Sequence, residues 1–392
     1  MKIAHIAPPW LAIPPKNYGG TENVIYTLVE EQVAQGHDVT LFAPGDAKTS
    51  ANLVSFFPQS ILTAGESWQS HLKAYYHFHS AVEALKEYDF DVVHLHLSSA
   101  SDLYLFPLMA ALAVPTVTTQ HSPFPFDIAP KSRLGKADEY YMQWLTSAPM
   151  VAISQSARAA APGTLNFVGV VYHGLLAKDF TSQKKTRSQG NFLAWLGRFS
   201  PEKGAHLAIE AAERAGMPIV LAGTIDRYRQ ESLRYFHDVI EPKIDNKQVK
   251  YIGSVNLKQK LSLLGRAHGF LNPIEWEEPF GMVMLEAMAV GCPVISFARG
   301  AAPELVVHDR TGFLVRDVDE MVASIPRLEE IDRDTTRSHV EENFSARVMA
   351  ENYTHVYQQV IAARKDAAHH VSPDGSPGAE AHVADETLQQ TC

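Results

Sequence analysis

Short apolar runs alternate with amphipathic stretches along most of the chain. Runs rich in β-branched or apolar residues, which favour strands, lie at residues 2–7, 39–43, 92–97, 116–120, 151–154, 192–196, 219–222, 249–252, 269–272 and 293–296. Helical periodicity separates them, as at residues 22–35, where an apolar stripe ends at Gly36, and at 205–215 and 281–290. This alternation predicts an α/β fold with parallel sheets.

The predicted strands fall into two groups on either side of a break near residues 167–180. Two doubly wound, Rossmann-like domains fit this arrangement better than one eight-fold barrel, which usually has about 250 residues. We expect an N-terminal domain at residues 1–172, a C-terminal domain at 173–345 and a cleft between them. Open parallel sheets bind ligands beyond the carboxyl ends of their strands, so functional side chains are expected to face that cleft.

The C-terminal part of the chain changes character twice. Residues 346–365 carry apolar residues at helical spacing. Because they follow the last predicted strand of the second domain, we expect this helix to cross back to the first domain. Residues 366–392 are rich in Ala, His, Ser, Pro and Gly and show no apolar periodicity, which predicts a disordered tail.

Charge and cysteine content narrow the function classes. The net charge is −10, and residues 366–392 contribute five of these negative charges. A mildly acidic body argues against nucleic-acid binding, which usually requires a basic excess. Cys292 and Cys392 cannot build a disulfide framework. No signal-peptide pattern is present, and the longest apolar stretch, 104–114, is about half of the roughly 20 residues that a membrane span needs. We expect a cytoplasmic protein with membrane contact that is at most peripheral, at the inner face.

Two adjacent glycines lie between the first predicted strand and the first predicted helix. Gly19 and Gly20 let the backbone approach a ligand closely, and the following helix offers N–H groups with a partial positive charge. This combination fits a phosphate-sized anion. A tight turn in which Thr21 or Glu22 caps the helix explains the same residues equally well, and the pair is not a GxGxxG dinucleotide fingerprint.

Two cations lie five residues apart in the loop that follows predicted strand 192–196. Arg198 can donate to two oxygens at once and Lys203 adds a point charge, so together they could neutralise a diphosphate. A Lys at a helix amino terminus is electrostatically unfavourable unless an anion lies there. The alternative is a surface Arg and Lys that pair with Glu202.

Two carboxylates flank the start of an almost wholly apolar predicted helix. Glu278 precedes the helix and Glu286 lies eight residues later, about 12 Å along the axis. Carboxylates accept hydrogen bonds from pairs of neighbouring hydroxyls, so this spacing could span a sugar and a ribose. The alternative is a helix-start acid and an ion-paired acid, but a charge on an apolar helix needs a partner.

Taken together, these elements resemble the retaining glycosyltransferases with the two-domain GT-B fold, specifically the large family 4 (glycosyl transferases group 1). The resemblance covers residues 2–362, and its signature spacings, Arg198 to Lys203 and Glu278 to Glu286, are intact. The paired glycines and residues 36–39 are also similar. Many members have Asn-Gly where this chain has His173-Gly174, and we attach no catalytic meaning to His173.

The resemblance implies residue roles. Arg198 and Lys203 would hold the donor diphosphate, with the Gly20 backbone beside it, and Glu278 would hold donor-sugar hydroxyls. Glu286 would hold the ribose. The donor would also be faced by the backbone of Phe280, Gly281, Met282 and Val283.

Three histidines are further candidates, one for the active site and two for a metal site. His121 follows predicted strand 116–120, where family members place a His near the reacting sugar as a hydrogen-bond donor; a core histidine is the alternative. His94 and His96 alternate on one strand and so share a face, which could suggest a metal. No third ligand follows at metal-site spacing, so a structural or cleft-edge role is preferred.

An acidic pair completes the set of candidates. Asp89 and Asp91 match the Asp-x-Asp pattern of metal-dependent glycosyltransferases with the other common fold. They precede strand 92–97, whereas a metal–diphosphate site belongs at the carboxyl end of a strand. We therefore expect no metal and no cofactor apart from the nucleotide sugar, which is the donor substrate.

The resulting hypothesis is a retaining, metal-independent hexosyltransferase of carbohydrate biosynthesis that uses a UDP- or GDP-linked donor. The acceptor would be a sugar, a lipid-linked acceptor or a small molecule. A non-hydrolysing sugar-nucleotide epimerase and a non-catalytic sugar-nucleotide-binding protein are the alternatives. The residues do not specify the donor base, the acceptor or the linkage.

Overall fold

The computed structural model describes residues 1–15, 19–99, 102, 105–109, 112–122, 146–180, 190–226 and 229–370. Over these residues the chain forms two parallel sheets covered by helices. The first sheet comprises β1 (Lys2–Ile6), β2 (Asp38–Phe42), β3 (Asn52–Val54), β4 (Val92–Leu97), β5 (Thr116–Gln120), β6 (Met150–Ala152) and β7 (Phe167–Val170). The second comprises β8 (Leu193–Leu196), β9 (Ile219–Ala222), β10 (Val249–Tyr251), β11 (Gly269–Asn272), β12 (Val294–Phe297) and β13 (Gly312–Val315).

Both sheets are doubly wound. The strand orders are β3-β2-β1-β4-β5-β6-β7 and β10-β9-β8-β11-β12-β13, so the order reverses between β1 and β4 and between β8 and β11. Such reversals are where open parallel sheets form ligand crevices. The α/β prediction with two doubly wound sheets is confirmed.

Thirteen α-helical segments connect the strands of the described residues. They are α1 (Gly20–Ala34), α2 (His71–Leu85), α3 (Leu105–Met109), α4 (Gln155–Ala160), α5 (Ala177–Phe180), α6 (Ala205–Arg214), α7 (Gln230–Tyr235), α8 (Leu257–Arg266), α9 (Met282–Ala289), α10 (Ala302–Leu305), α11 (Val318–Ser324), α12 (Arg333–Asn343) and α13 (Ala346–His370). Shorter 3-10 turns occur at Pro201–Lys203, Glu241–Lys243 and Pro326–Glu330, and a π-helical turn at Phe236–Ile240 extends α7.

Three strands were missing from the sequence-based prediction. β3 is a three-residue edge strand, β13 has four residues, and β7 lies inside the predicted break at 167–180. β7 pairs with β6 through an irregular register and is only half-buried, so its FVGV sequence carries no strong strand pattern. Short strands are formed by their neighbours in the sheet more than by their own residues.

The last helix packs on the first sheet. Met349, Tyr353, Tyr357 and Val360 of α13 join a buried cluster with residues of β1, β4, β5, β6 and α1. The predicted start of the tail at residue 366 was wrong for its first residues, because α13 continues to His370. Residues 371–392 lie outside the described residues.

Gly204 and Gly216 have nearly the same left-handed backbone conformation but different surroundings, so substituting each tests the effect of local packing on stability. Gly204, before α6, has φ +68 and a Cβ there would lie 1.9 Å from the Pro273 carbonyl oxygen; Gly216 has φ +64 and open space around it. We expect Gly204→Ala to lower the free energy of unfolding by about 2 kcal/mol more than Gly216→Ala, because overpacking adds to the same φ cost. Equilibrium urea unfolding measures both. Equal losses would show that the loop below Pro273 relaxes without cost.

Candidate active site

Arg198 lies in the loop that leaves the carboxyl end of β8. Its Nη2 is 3.9 Å from Glu202 Oε1, which also accepts a hydrogen bond of 2.6 Å from the Ser200 hydroxyl. The predicted alternative, pairing with Glu202, is therefore present but loose. The Arg198 Nε is buried and has no hydrogen-bond partner among the described residues. A buried donor without a partner is unusual in a folded protein, and an incoming anion would satisfy it.

Lys203 and Glu278 meet across the cleft-facing end of the second sheet. Lys203 Nζ forms an ion pair with Glu278 Oε2, and both side chains are largely buried. The same oxygen accepts a hydrogen bond of 3.1 Å from Trp276 Nε1, and Lys203 Nζ lies 4.9 Å from the centroid of the Trp276 ring. The structure thus brings together two motifs that are 75 residues apart, and Trp276 joins them.

The loop that carries Glu278 is fixed by its backbone. The Ala301 N–H donates to the Glu278 carbonyl at 2.9 Å, and the Gly300 N–H donates to Glu277 Oε2 at 2.6 Å. Gly300 has φ +55, and a Cβ there would lie 2.3 Å from the Glu278 carbonyl oxygen. Only glycine allows this approach, so Gly300 positions the loop, a role that its sequence context did not reveal.

The segment after Glu278 leads from the loop into α9. Phe280 is buried, and its ring centroid lies 4.6 Å from that of His173. Gly281 has φ +97 and precedes α9, which begins at Met282 and continues through Val283. The side chains of Met282 and Val283 are half-buried, so both side-chain and peptide groups of this turn are accessible to a ligand.

Glu286 lies within α9, eight residues after Glu278, and is 7% exposed. Its Oε1 forms an ion pair with Lys260 Nζ of α8, and its Oε2 is buried without a partner among the described residues. The apolar sequence of this helix predicts a partner for the charge, but Lys260 belongs to no recognisable motif that would identify it. One carboxylate oxygen is therefore held in place while the other can accept a hydrogen bond.

Gly19 and Gly20 lie where β1 gives way to α1. A Cβ on Gly19 would lie 2.8 Å from Pro15 and from Glu22 Oε2, whereas no atom of the described residues lies within 4 Å of the corresponding position on Gly20. Gly20 therefore leaves open space beside the helix amino terminus. Burial raises the pKa of Glu22 to about 7, and a hydrogen bond to its own backbone N–H opposes that rise. The N-cap residue of α1 is Gly19, which has no side chain with which to cap the helix.

His121 follows β5 and ends a row of histidines. Its Nε2 lies 3.0 Å from His96 Nδ1, and its ring stacks on that of His173 at 5.2 Å. His173, to which the sequence attached no role, thereby connects His121 to Phe280 and the Glu278 loop. In the sequence, the only feature that pointed to His173 was its position in a His-Gly pair where many family members have Asn-Gly.

His94 and His96 have a third histidine beside them in the fold, although none follows at metal-site spacing in the sequence. His5 of β1 lies beside them, and one ring nitrogen from each of the three lies within 4.8 Å of the others. Sequence spacing could not show this, because β1 and β4 are neighbours only in the sheet. These nitrogens are already hydrogen-bonded within the protein, and all three rings are fully buried.

The buried histidines predict acid sensitivity. Burial lowers the pKa of His5 to about 4 and that of His121 to about 3. It also lowers the pKa values of His94, His96 and His173 well below 6.5. The unfolded chain therefore binds more protons below pH 6.5, so stability present above that pH is lost as the pH falls toward 4.

We expect the free energy of unfolding to fall by at least about 2 kcal/mol between pH 7 and pH 4, since each pKa unit corresponds to about 1.4 kcal/mol. Glu22 acts in the opposite direction, because its raised pKa lets the folded protein take up a proton between pH 7 and 4.5. Urea unfolding across this range measures the net effect. A flat profile would mean that the histidines are protonated in the folded protein.

Asp89 and Asp91, the remaining candidates, lie away from the loops that carry Arg198, Lys203 and Glu278. Asp91 accepts a hydrogen bond from the Lys2 backbone N–H at 2.8 Å, and Asp89 Oδ2 lies 3.9 Å from Lys2 Nζ. Both belong to the amino-end edge of the first sheet, opposite the carboxyl ends of the strands.

Contacts between the domains frame the cleft. Ser154 Oγ donates to the Pro279 carbonyl at 2.7 Å, and Glu304 accepts from the N–H groups of Gln155 and Ser156 and from the Tyr172 hydroxyl, at 2.7 to 2.9 Å. A cavity beside these contacts is lined by residues of both domains, including Gln120, Ser122, Ser156, Glu277 and Pro279.

Two family models match consecutive parts of the chain. Glycosyltransferase Family 4 matches residues 18–175, and Glycosyl transferases group 1 matches residues 177–345. O-antigen chain mannosyltransferase C of Escherichia coli is 24% identical over 93% of this chain and 100% of its own. A phosphatidyl-myo-inositol mannosyltransferase of Propionibacterium freudenreichii is 26% identical over 79% of this chain and 80% of its own.

Solved structures support the same architecture. A glycosyltransferase involved in Avilamycin A biosynthesis superposes with a TM-score of 0.67 at 21% identity, covering 92% of this chain and 98% of its own. Anabaena HepE, in complex with UDP and glucose, gives 0.66 at 18% identity, covering 91% and 99%. At these identities the likeness shows the fold, which is GT-B. Within the described residues, no helix combines the length and the apolar character needed to cross a bilayer.

Proposed function

Because the chain belongs to the group 1 glycosyltransferases of family 4, we propose that it moves a hexosyl group from a UDP- or GDP-linked sugar to an acceptor hydroxyl. The observation that carries this proposal is the ion pair between Lys203 and Glu278 at the carboxyl ends of the second sheet, together with the buried, unpartnered Nε of Arg198 in the loop that leaves β8. Transfer proceeds with retention of the anomeric configuration and without a metal or another cofactor.

The two cations serve the leaving group. As the bond from the anomeric carbon to the diphosphate breaks, negative charge grows on the diphosphate oxygens, and Arg198 and Lys203 stabilise it. Lys203 exchanges part of its pairing with Glu278 for the phosphate, while the buried Arg198 Nε gains the partner that it lacks. Two fixed cations supply the charge that a metal ion supplies in other transferases, which supports a metal-independent reaction.

The carboxylates orient the donor. Glu278 accepts hydrogen bonds from sugar hydroxyls, and the unpartnered Glu286 Oε2 accepts from the ribose. The peptide groups from Phe280 to Val283 and the open space at Gly20 face the donor between these points. His121 lies toward the reacting sugar.

The proton balance needs no base from the protein. A bond forms between the acceptor oxygen and the anomeric carbon on the face that the diphosphate leaves, and the acceptor proton passes to a phosphate oxygen. This route fits the site because His121 has a pKa lowered to about 3 by burial, which makes it a weak base.

The acceptor side belongs to the first domain, and we propose a sugar, a lipid-linked acceptor or a small molecule. Relatives named as an O-antigen chain mannosyltransferase and a phosphatidyl-myo-inositol mannosyltransferase support acceptors of the first two kinds. The protein would act in the cytoplasm, with contact at the inner membrane face that is at most peripheral, and without nucleic acid.

Thermal unfolding with a panel of UDP-, GDP- and ADP-sugars in EDTA tests the donor site. A donor at 100 times its Kd stabilises the folded protein by about 2.7 kcal/mol, which raises Tm visibly. We expect one donor to do so, Glu278→Ala to weaken the effect, and the exposed control Glu342→Ala to leave it unchanged. No shift with any donor would contradict the proposal. Loss of activity in EDTA that Mg²⁺ or Mn²⁺ restores would contradict metal independence.

A further inference from the structure

A continuous row of buried polar side chains runs from α1 to the carboxyl end of β5. Gln32 Oε1 lies 2.7 Å from His5 Nε2, His5 Nδ1 lies 2.9 Å from His96 Nε2, and His96 Nδ1 lies 3.0 Å from His121 Nε2. We call His5, His96 and His121 the histidine chain. Gln32, His5 and His96 are fully buried, so their hydrogen bonds must be satisfied within the protein.

One amide oxygen determines the proton positions along this row. An amide oxygen only accepts hydrogen bonds, so the proton of neutral His5 must lie on Nε2. His5 Nδ1 is then a bare acceptor, which places the His96 proton on Nε2. By the same step His96 Nδ1 accepts, and the His121 proton lies on Nε2. His121 Nδ1, which is buried and has no partner among the described residues, is therefore left as an acceptor.

The other side of Gln32 is consistent with this direction. Gln32 Nε2 donates to the Tyr357 hydroxyl at 3.2 Å, and that hydroxyl lies 2.7 Å from His94 Nδ1. Tyr357 can then donate to His94, whose Nε2 donates to Thr119 Oγ1 at 2.7 Å. If the Gln32 amide were turned round, every donor and acceptor in both branches would exchange, so Gln32 is the residue on which the direction depends.

We propose that Gln32 is a positioning residue that fixes His121 Nδ1 as a hydrogen-bond acceptor for a hydroxyl of the bound sugar. This inference rests on the proposed function for the identity of the ligand, but not for the proton positions. It reverses the donor role that the family resemblance implies for His121. The chain then selects a substrate that presents a hydroxyl at this point and disfavours one that presents a carboxylate.

Burial lowers the pKa of His5, His96 and His121 and so keeps the histidine chain neutral, and the neighbouring rings of His94 and His173 lower the pKa of His96 further. Tyr357 contacts Gln32 and His94, and Tyr353 contacts His94 and Thr119. Burial raises the pKa of Tyr357 well above 10, so it remains a neutral hydroxyl. One proton per ring follows for the histidine chain at neutral pH, as the argument requires.

Nuclear magnetic resonance of the full chain with ¹⁵N-labelled histidine rings reads the proton positions directly. We expect His5, His96 and His121 to carry their proton on Nε2 from pH 6 to pH 8, with signals assigned by single histidine substitutions. A proton on His121 Nδ1 would overturn the proposal. So would a stoichiometric metal that shifts these signals when it is removed, since metal ligation would replace the hydrogen bonds.

Two variants test the role of Gln32. In Gln32→Glu the added negative charge favours a second proton on His5, so that His5 Nδ1 becomes a donor to His96 Nε2. His96 then carries its proton on Nδ1 and donates to His121 Nε2. The His121 proton therefore moves to Nδ1. Gln32→Met, which adds no charge, removes the fixed acceptor, and we expect the His121 signals to move toward a mixture of the two forms. Gln35→Met, at the exposed end of the same helix, should change none of them. A folded Gln32→Met protein with unchanged His121 signals would overturn the proposal.

Kinetics connect the proton position to the substrate. With the donor found by thermal unfolding, Gln32→Met should lower kcat/KM by about 3- to 10-fold, the value of one neutral hydrogen bond. Monodeoxy donors identify the hydroxyl that His121 contacts. For the donor that lacks this hydroxyl, kcat/KM should be the same for Gln32→Met and for the wild type. Equal losses with every deoxy donor would contradict the hydroxyl contact. If no donor binds at all, the proposed function fails while the resonance result still decides the proton positions.

Discussion

Arg198→Ala is expected to lower kcat by about 10²- to 10³-fold, the usual loss when one preorganised charge-stabilising group is removed from an active site. The guanidinium has only a loose 3.9 Å pairing with Glu202, and its Nε has no partner within the described residues. It contributes little to folding in this state, so the variant should keep the thermal stability of the wild type. The substitution should therefore lower kcat and leave Tm unchanged.

Two further variants separate charge from shape at this position. Arg198→Lys keeps a cation but loses the fork that can bind two oxygens, so its kcat should lie between those of the wild type and Arg198→Ala. Arg214→Ala removes a surface arginine paired with Glu210 and Asp319 and should turn over normally. Single-turnover measurement with saturating donor is the direct assay. Near-wild-type turnover by Arg198→Ala would end the assignment of Arg198 to the leaving group.

Lys260→Met is expected to lower the free energy of unfolding by about 4 kcal/mol, because it strands a buried carboxylate. Glu286 is 7% exposed, and its Oε1 pairs with Lys260, whose side chain is 16% exposed. Equilibrium urea unfolding measures the loss. The double variant Lys260→Met with Glu286→Leu should recover most of it, because two apolar side chains replace both charges.

A surface pair provides the matched control for Lys260. Lys243 lies 3.3 Å from Glu213, and both side chains are about 40% exposed. Exposed pairs contribute about 0 to 1 kcal/mol, so Lys243→Met should be nearly neutral. Similar losses from the two lysines would show that water reaches Glu286 and that its free oxygen is not held for a ligand.

The fold was predictable because periodicity is a local property. Long strands such as β4 and β5 were located with their observed bounds, whereas β3, β7 and β13 are short and depend on neighbouring strands. In the candidate site, the sequence pointed to residues that belong to one short motif, such as Arg198 and Lys203. The pairing of Lys203 with Glu278 required the fold, since it joins two loops of one sheet edge.

The residues that the sequence did not reveal act through contacts between distant segments. Lys260 reaches Glu286 across two helices, Gly300 approaches the Glu278 backbone from another loop, and His5 meets His96 from a neighbouring strand. None of these positions has a distinctive local pattern. Their roles depend on which elements become neighbours, and spacing along the chain does not contain that information.

The return of α13 to the first sheet has a consequence for synthesis on the ribosome. Tyr357 bonds Gln32 across 325 residues and His94 across 263, and its helix covers the core face of β1, β4 and β5. At about 5 to 20 residues per second, the first domain waits roughly 10 to 40 seconds between the emergence of β7 and that of α13. His94, which packs against Tyr353 and Tyr357 of that helix, lacks this cover throughout, so the second domain, although later in the chain, can complete its core first.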